Sequence, residues 1–292
     1  MGDVVALVPL LAVLVLAGAV ALVVGVVRRS PPSREASVVA ARRHARLASV
    51  AAMGLGAAAA LATAAREVGN SGPGGLGVTA LLVPIVFGVV HTAVLTAGEL
   101  TWPRPRGEVR RARLVRRGPL DATPGWLVRT ATVATVLAVG VLGIGTLLAD
   151  ETGRGITRVS TAGGDLSWSA AGPFPGPFYG RPAAIGLAVL AAVTITALWV
   201  VANRPAVATD DDRIETALRR ASAHRVLRAA VAATLEVAGG LMSVGGMAMA
   251  NVGLVPGSGL VGAVPGLLTM LAGLVVLCVR APGVPADQPA SV

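Results

Sequence analysis

Lysine is absent from all 292 residues, and every one of the 25 basic side chains is arginine. Without a lysine amine there is no retinal-type Schiff base and no G-x-x-x-x-G-K-[ST] loop for a nucleotide. Cysteine is almost as scarce: Cys278 stands alone, which excludes an intramolecular disulfide and every paired-cysteine zinc pattern. Histidine occurs three times, and only His91 lies inside an apolar run, too few for a haem held by two intramembrane imidazoles. No H-E-x-x-H metal motif is present either. The sequence therefore offers no catalytic residue, no metal ligand and no cofactor, and an enzyme is the class it supports least.

Charge is thin as well. Charged residues make up 14% of the chain, against about 25% in an ordinary soluble domain. Hydrophobic residues reach 54%, so the chain cannot cover itself with polar surface, and lipid must solvate much of it. Seven apolar runs, 4–27, 47–65, 78–97, 130–149, 183–202, 229–250 and 260–279, approach or exceed the roughly 20 residues that cross the hydrocarbon as helix. None alternates like a barrel strand, so the expected fold is all-α, a polytopic transmembrane bundle of about seven spans. Residues 1–280 form one helical domain in this reading, with 281–292 as a short, Pro-rich, disordered tail. The first run lacks a basic leader and is long for a signal peptide, so it is expected to remain as the first span.

The net charge of +10 is topological and calls for no nucleic acid. Arginines crowd the segments after the first, third and fifth runs, with Arg104 to Arg117 the densest stretch. Only Arg66, Arg154, Arg158 and Arg181 lie on the other side, which places the N-terminus outside and the C-terminus in the cytoplasm. The basic loops suit anionic lipid headgroups, at about 1 kcal/mol for each arginine near the surface.

Aromatic residues are rare, at 3%, yet half of them, Trp168, Phe174, Phe178 and Tyr179, fall in the longest outward segment. The stretch Gly172 to Gly180 alternates Gly, Pro and aromatics, and is expected to form a rigid irregular cap. Two readings stand for it: an interfacial aromatic belt that anchors the next span, or a contact loop over the outer mouth of the bundle.

Two ionisable residues lie within apolar runs, His91 and Glu236, each about 10 Å from the cytoplasmic boundary by helical rise. Thr135 and Thr196 project to nearly the same depth, so a polar plane of His91, Thr135, Thr196 and Glu236 is allowed if those helices are neighbours. A carboxylate in a membrane is costly unless paired, protonated or hydrated, and such groups often mark ion or proton paths. A structural role, with Glu236 reaching towards the headgroups or Arg228, is the competing reading. Glycines at close spacing in the last two runs, including Gly262 and Gly266, favour tight helix contact. Asp210 to Arg228 reads as a short helix leading into the sixth run, acidic at its start and basic at its finish. His44 and His224 read as solvated loop residues.

The bias towards Arg, Ala, Val, Gly and Leu, with phrases such as Gly98-Glu99-Leu100-Thr101-Trp102-Pro103-Arg104-Pro105, resembles the uncharacterised multi-pass membrane proteins of GC-rich bacteria. The resemblance implies a location in the cytoplasmic (inner) membrane and carries no activity. Two functions follow from the residues. One is passage of a small solute or ion, proton-coupled, through the bundle at Glu236 and His91. The alternative is a non-catalytic accessory or sensory membrane protein acting through the aromatic outer loop and the Arg-rich inner loops.

Overall fold

Backbone groups facing hydrocarbon have no partner but one another, so long apolar runs close their hydrogen bonds within a helix. The computed structural model describes residues 33, 35–69, 77–102, 118–162, 165–207 and 211–285. Among them are six helices: α1 (Ala36–Gly69), α2 (Val78–Leu100), α3 (Gly125–Leu148), α4 (Pro177–Asn203), α5 (Asp212–Asn251) and α6 (Gly259–Cys278). All six are long and apolar enough to cross a membrane. Six of the seven expected spans are thus helical, and the run 4–27 lies outside the described residues.

α5 is the axis of the bundle, with most of its length enclosed, and α2, α3, α4 and α6 pack around it while α1 packs on α2. Its 40 residues correspond to about 60 Å of helix. The expected lead-in helix and the sixth span are one continuous element. The Asp211 side chain caps its start by accepting the Arg213 N–H at 2.8 Å, and Asp212 and Glu215 sit favourably in the first turn. Small residues allow α6 to lie directly against α5: Gly239 and Gly246 face Gly266 and Gly262 backbone to backbone. Pro265 sits inside a continuous α6, not in a broken helix.

The outer helices keep broad apolar faces exposed, among them Val133, Val136 and Val139 on α3, Ile195 and Trp199 on α4, and Leu268 and Leu271 on α6. Exposed apolar area of this extent has lipid as its natural solvent. The fold is a helical bundle of the membrane-embedded kind.

Contacts sort the connecting segments into two ends. At one, Val38, Ala41 and Ala45 of α1 meet Trp102, Val207, Ile214, Leu218 and Val284. The 281–292 stretch therefore starts packed, with Pro285 O accepting from Arg42 Nη2 at 3.2 Å, where a wholly disordered tail was expected. At the other end, Ile156 and Phe174 pack on Ala248 in the last turn of α5 and on Val252 just after it.

The outer segment departs most from expectation. It holds an antiparallel hairpin, β1 (Ile156–Ala162) and β2 (Asp165–Ala171), with Val159 opposite Trp168 and Thr161 opposite Leu166. The irregular cap is confined to Gly172–Gly176, because Pro177 opens α4 and so makes Phe178, Tyr179 and Gly180 helical. Proline at the first helical position has no N–H to lose and its fixed φ suits the turn, so it starts the helix it was expected to prevent.

Candidate functional site

The proposed polar plane is not assembled. His91 is buried on α2, its ring stacked on Phe87 at 5.6 Å and its Cβ close to Gly56 of α1; its Nδ1 has no hydrogen-bond partner. Glu236 is buried on α5 and turned towards α6, where a Cβ built on Gly273 would lie 2.9 Å from its Oε1. No hydrogen bond or ion pair between described residues joins it to His91. Thr135 and Thr196 lie on the exposed faces of α3 and α4, each donating to its own helix, to Ala131 O and Ala192 O, both at 2.9 Å. A hydroxyl facing lipid satisfies itself in this way.

What the helix ends do bring together is a buried charged network that the separate segments do not announce. Glu99 closes α2, Arg204 follows α4, and Glu215 and Arg219 lie one turn apart near the start of α5. Arg204 Nε sits 3.3 Å from Glu99 Oε2, and its Nη2 4.0 Å from Glu215 Oε1. Its guanidinium also lies over the Trp102 ring, 3.5 Å from the centroid. Burial pushes Arg204 down to about 10 against the upward pull of Glu99 and Glu215, so it remains charged at neutral pH.

Arg219 completes the network. It pairs with Glu215 at 2.6 Å and spreads its fork over the end of α4, Nη1 donating to Val201 O (3.0 Å) and Ala202 O (2.6 Å), and Nη2 to Arg204 O (2.8 Å). A cation on the last carbonyls of a helix satisfies acceptors that have no helical partner. Glu215 Oε2 accepts from the Val207 amide at 3.0 Å, which pins the 204–207 turn. His44, expected to be solvated, lies within α1 with Nε2 2.8 Å from Gly98 O and its ring edge-on to Trp102. These contacts fasten α1, α2, α4 and α5 at one end. Of the four charged residues only the Glu215/Arg219 pair carries a local signal, the i,i+4 spacing.

At the opposite end the four outer aromatics divide. Phe174 and Tyr179 are buried, Phe178 packs edge-on to Tyr179 at 4.9 Å with Arg154 over its other side, and Trp168 is 74% exposed. The hairpin root is held by Asp150, whose Oδ1 accepts from Thr152 Oγ1 at 2.6 Å and from the Gly155 amide at 3.3 Å. The Thr152 hydroxyl, helped by backbone donors, holds the Asp150 carboxyl below the usual carboxylate range. Strand register gives the hairpin two unlike faces. One carries Arg158, Ser160, Ser167 and Ser169, with Arg158 and Ser169 donating to Gly253 O and Val252 O beyond α5. The other presents Val159, Leu166 and Trp168, all exposed.

Among the described residues no group of three His, Cys, Asp or Glu side chains converges as a metal site. Compared with known families, characterised proteins and solved structures, the chain matches none.

Proposed function

We propose that this chain is a seven-span protein of a bacterial inner membrane, N-terminus outside and C-terminus cytoplasmic, that acts by contact: a non-catalytic accessory or sensory protein. The observation that carries this reading is the apolar hairpin face, Val159, Leu166 and Trp168, held by the polar face of the same hairpin against the end of α5. The orientation rests on the arginine-rich segments, whose flanking residues gather at the end opposite the hairpin. Anionic headgroups are the partners that suit Arg104 to Arg117.

A photo-reactive side chain in place of Trp168, activated in cells, tests this. A discrete protein adduct that vanishes when the probe is moved to Ser167, on the polar face, is the expected result. Adducts with lipid alone would return the aromatics to a membrane belt.

Passage of protons or small ions is the second reading, favoured by one observation, the buried Glu236 Oε1 with no hydrogen-bond partner. The separation of Glu236 from His91, and the outward Thr135 and Thr196, weigh against a continuous path. Glu236→Gln is expected to leave proton flux into dye-loaded liposomes equal to that of the unaltered protein. A flux well above empty liposomes that the substitution abolishes would reinstate transport.

A further inference from the structure

At the arginine-rich end not every described arginine has a carboxylate partner. Glu99 and Glu215 are matched by Arg204 and Arg219, as the distances above show. Two further arginines, Arg225 and Arg228, are half-buried one helical turn apart on α5, and among the described residues neither forms an ion pair. Arg225 has a single side-chain hydrogen bond, to Ser222 Oγ at 3.0 Å, and Arg228 donates through Nη1 to Val279 O at 2.8 Å. Glu99, whose charge acts on Arg225, is already engaged by Arg204.

Unused donors surround this pair. Arg228 Nε is buried without a partner. His224 is 1% exposed, with its ring 5.9 Å from that of Trp126, and neither ring nitrogen has a hydrogen bond. His91 Nδ1 is equally unmet, and Phe87, on which the His91 ring stacks, packs against the cluster that holds Ala229, the residue after Arg228. Holding two half-buried arginines close together with no ion-pair partner among the described residues is unfavourable, and unmet buried donors add to that cost. An anion that accepts several hydrogen bonds removes both penalties at once. The i,i+3 spacing puts the two Cβ atoms about 5–6 Å apart, which lets two guanidinium forks share one tetrahedral oxyanion.

We infer that Arg225 and Arg228, flanked by His224 and His91, form a seat for a phosphate group at the arginine-rich end of α5. The apolar stretch of α5 begins at Ala229, directly after Arg228, so the seat lies at the depth of lipid headgroups. Phosphate is the shared chemistry of two sources, an anionic phospholipid and a free phosphate. This inference is independent of the role of the hairpin.

The test uses the full chain, delipidated in a phosphate-free maltoside detergent, with native mass spectrometry and thermal unfolding as readouts. Phosphatidylglycerol, inorganic phosphate and, as a neutral control, diacylglycerol are added separately. Retained mass and a raised unfolding temperature with phosphatidylglycerol alone identify a lipid seat. The same response to inorganic phosphate, at millimolar concentration, identifies a free anion. Each of R225Q and R228Q is expected to weaken binding about tenfold, while R181Q, at the opposite end, leaves it unchanged. Should either glutamine variant fail to fold, R228K keeps the charge without the fork and is expected to bind more weakly than the unaltered chain. No response to either phosphate probe, or equal responses from the unaltered chain and its R225Q, R228Q and R228K variants, overturns the inference.

Discussion

Arg204→Met is expected to lower stability by about 3–5 kcal/mol, read as a drop in thermal midpoint in detergent, because it strands a buried carboxylate. Glu215 would keep Arg219 at 2.6 Å, but Glu99, buried at the end of α2, would keep no cation among the described residues within the distances of an ion pair. The stacking of the guanidinium on Trp102 disappears as well, and a desolvated cation–π contact of this kind is worth about 2 kcal/mol. Adding Glu99→Gln to Arg204→Met should recover a large part of the loss, since the stranded charge and not the missing arginine dominates it. A midpoint unchanged by Arg204→Met, or a double variant as unstable as the single one, would show that the network does not hold these helix ends.

Gly246→Ala should separate α5 from α6. A Cβ there would overlap Gly262 O, and one at Gly239 would come within 2.6 Å of Gly266 O. Backbone cannot rotate away as a side chain does, so the helices must move apart along their whole contact. A loss of about 3 kcal/mol, at the upper end of overpacking effects, is expected. The neighbouring Gly240 is the internal control. Nothing lies within 4 Å of a Cβ at that position, and Gly240→Ala should be neutral or stabilise by up to about 1 kcal/mol through helix propensity. Equal midpoints for the two alanine variants would refute this account of the contact. In a bundle without a hydrophobic drive between helices, such close approach is a main source of association energy.

The helical class was readable because hydrocarbon thickness sets a minimum length that runs such as 78–97 and 183–202 meet. Their ends were not. Helix α1 begins at Ala36, eleven residues before its apolar run (47 − 36), because arginine is a good helix former and the backbone does not stop where the hydrophobicity does. Thr157, Val159 and Thr161, and then Leu166 and Trp168, alternate along the chain as strand residues do, but the Gly- and Pro-rich stretch that follows carries the stronger local signal, that of irregular structure. Depth along the chain placed His91 and Glu236 correctly within helices, yet depth carries no rotation, and rotation turned one towards α1 and the other towards α6. The charged network was the least readable feature. Glu99, Arg204 and Glu215 are unremarkable singly, and only the packing of three helix ends makes them one unit.

The length of α5 has a mechanical consequence. From Arg219, which grips the end of α4, to Val252, which accepts from Ser169 of the hairpin, a single element spans about 50 Å. One helix thus ties the hairpin root and the charged network to a common axis, so that the two ends of the bundle share a single rigid member.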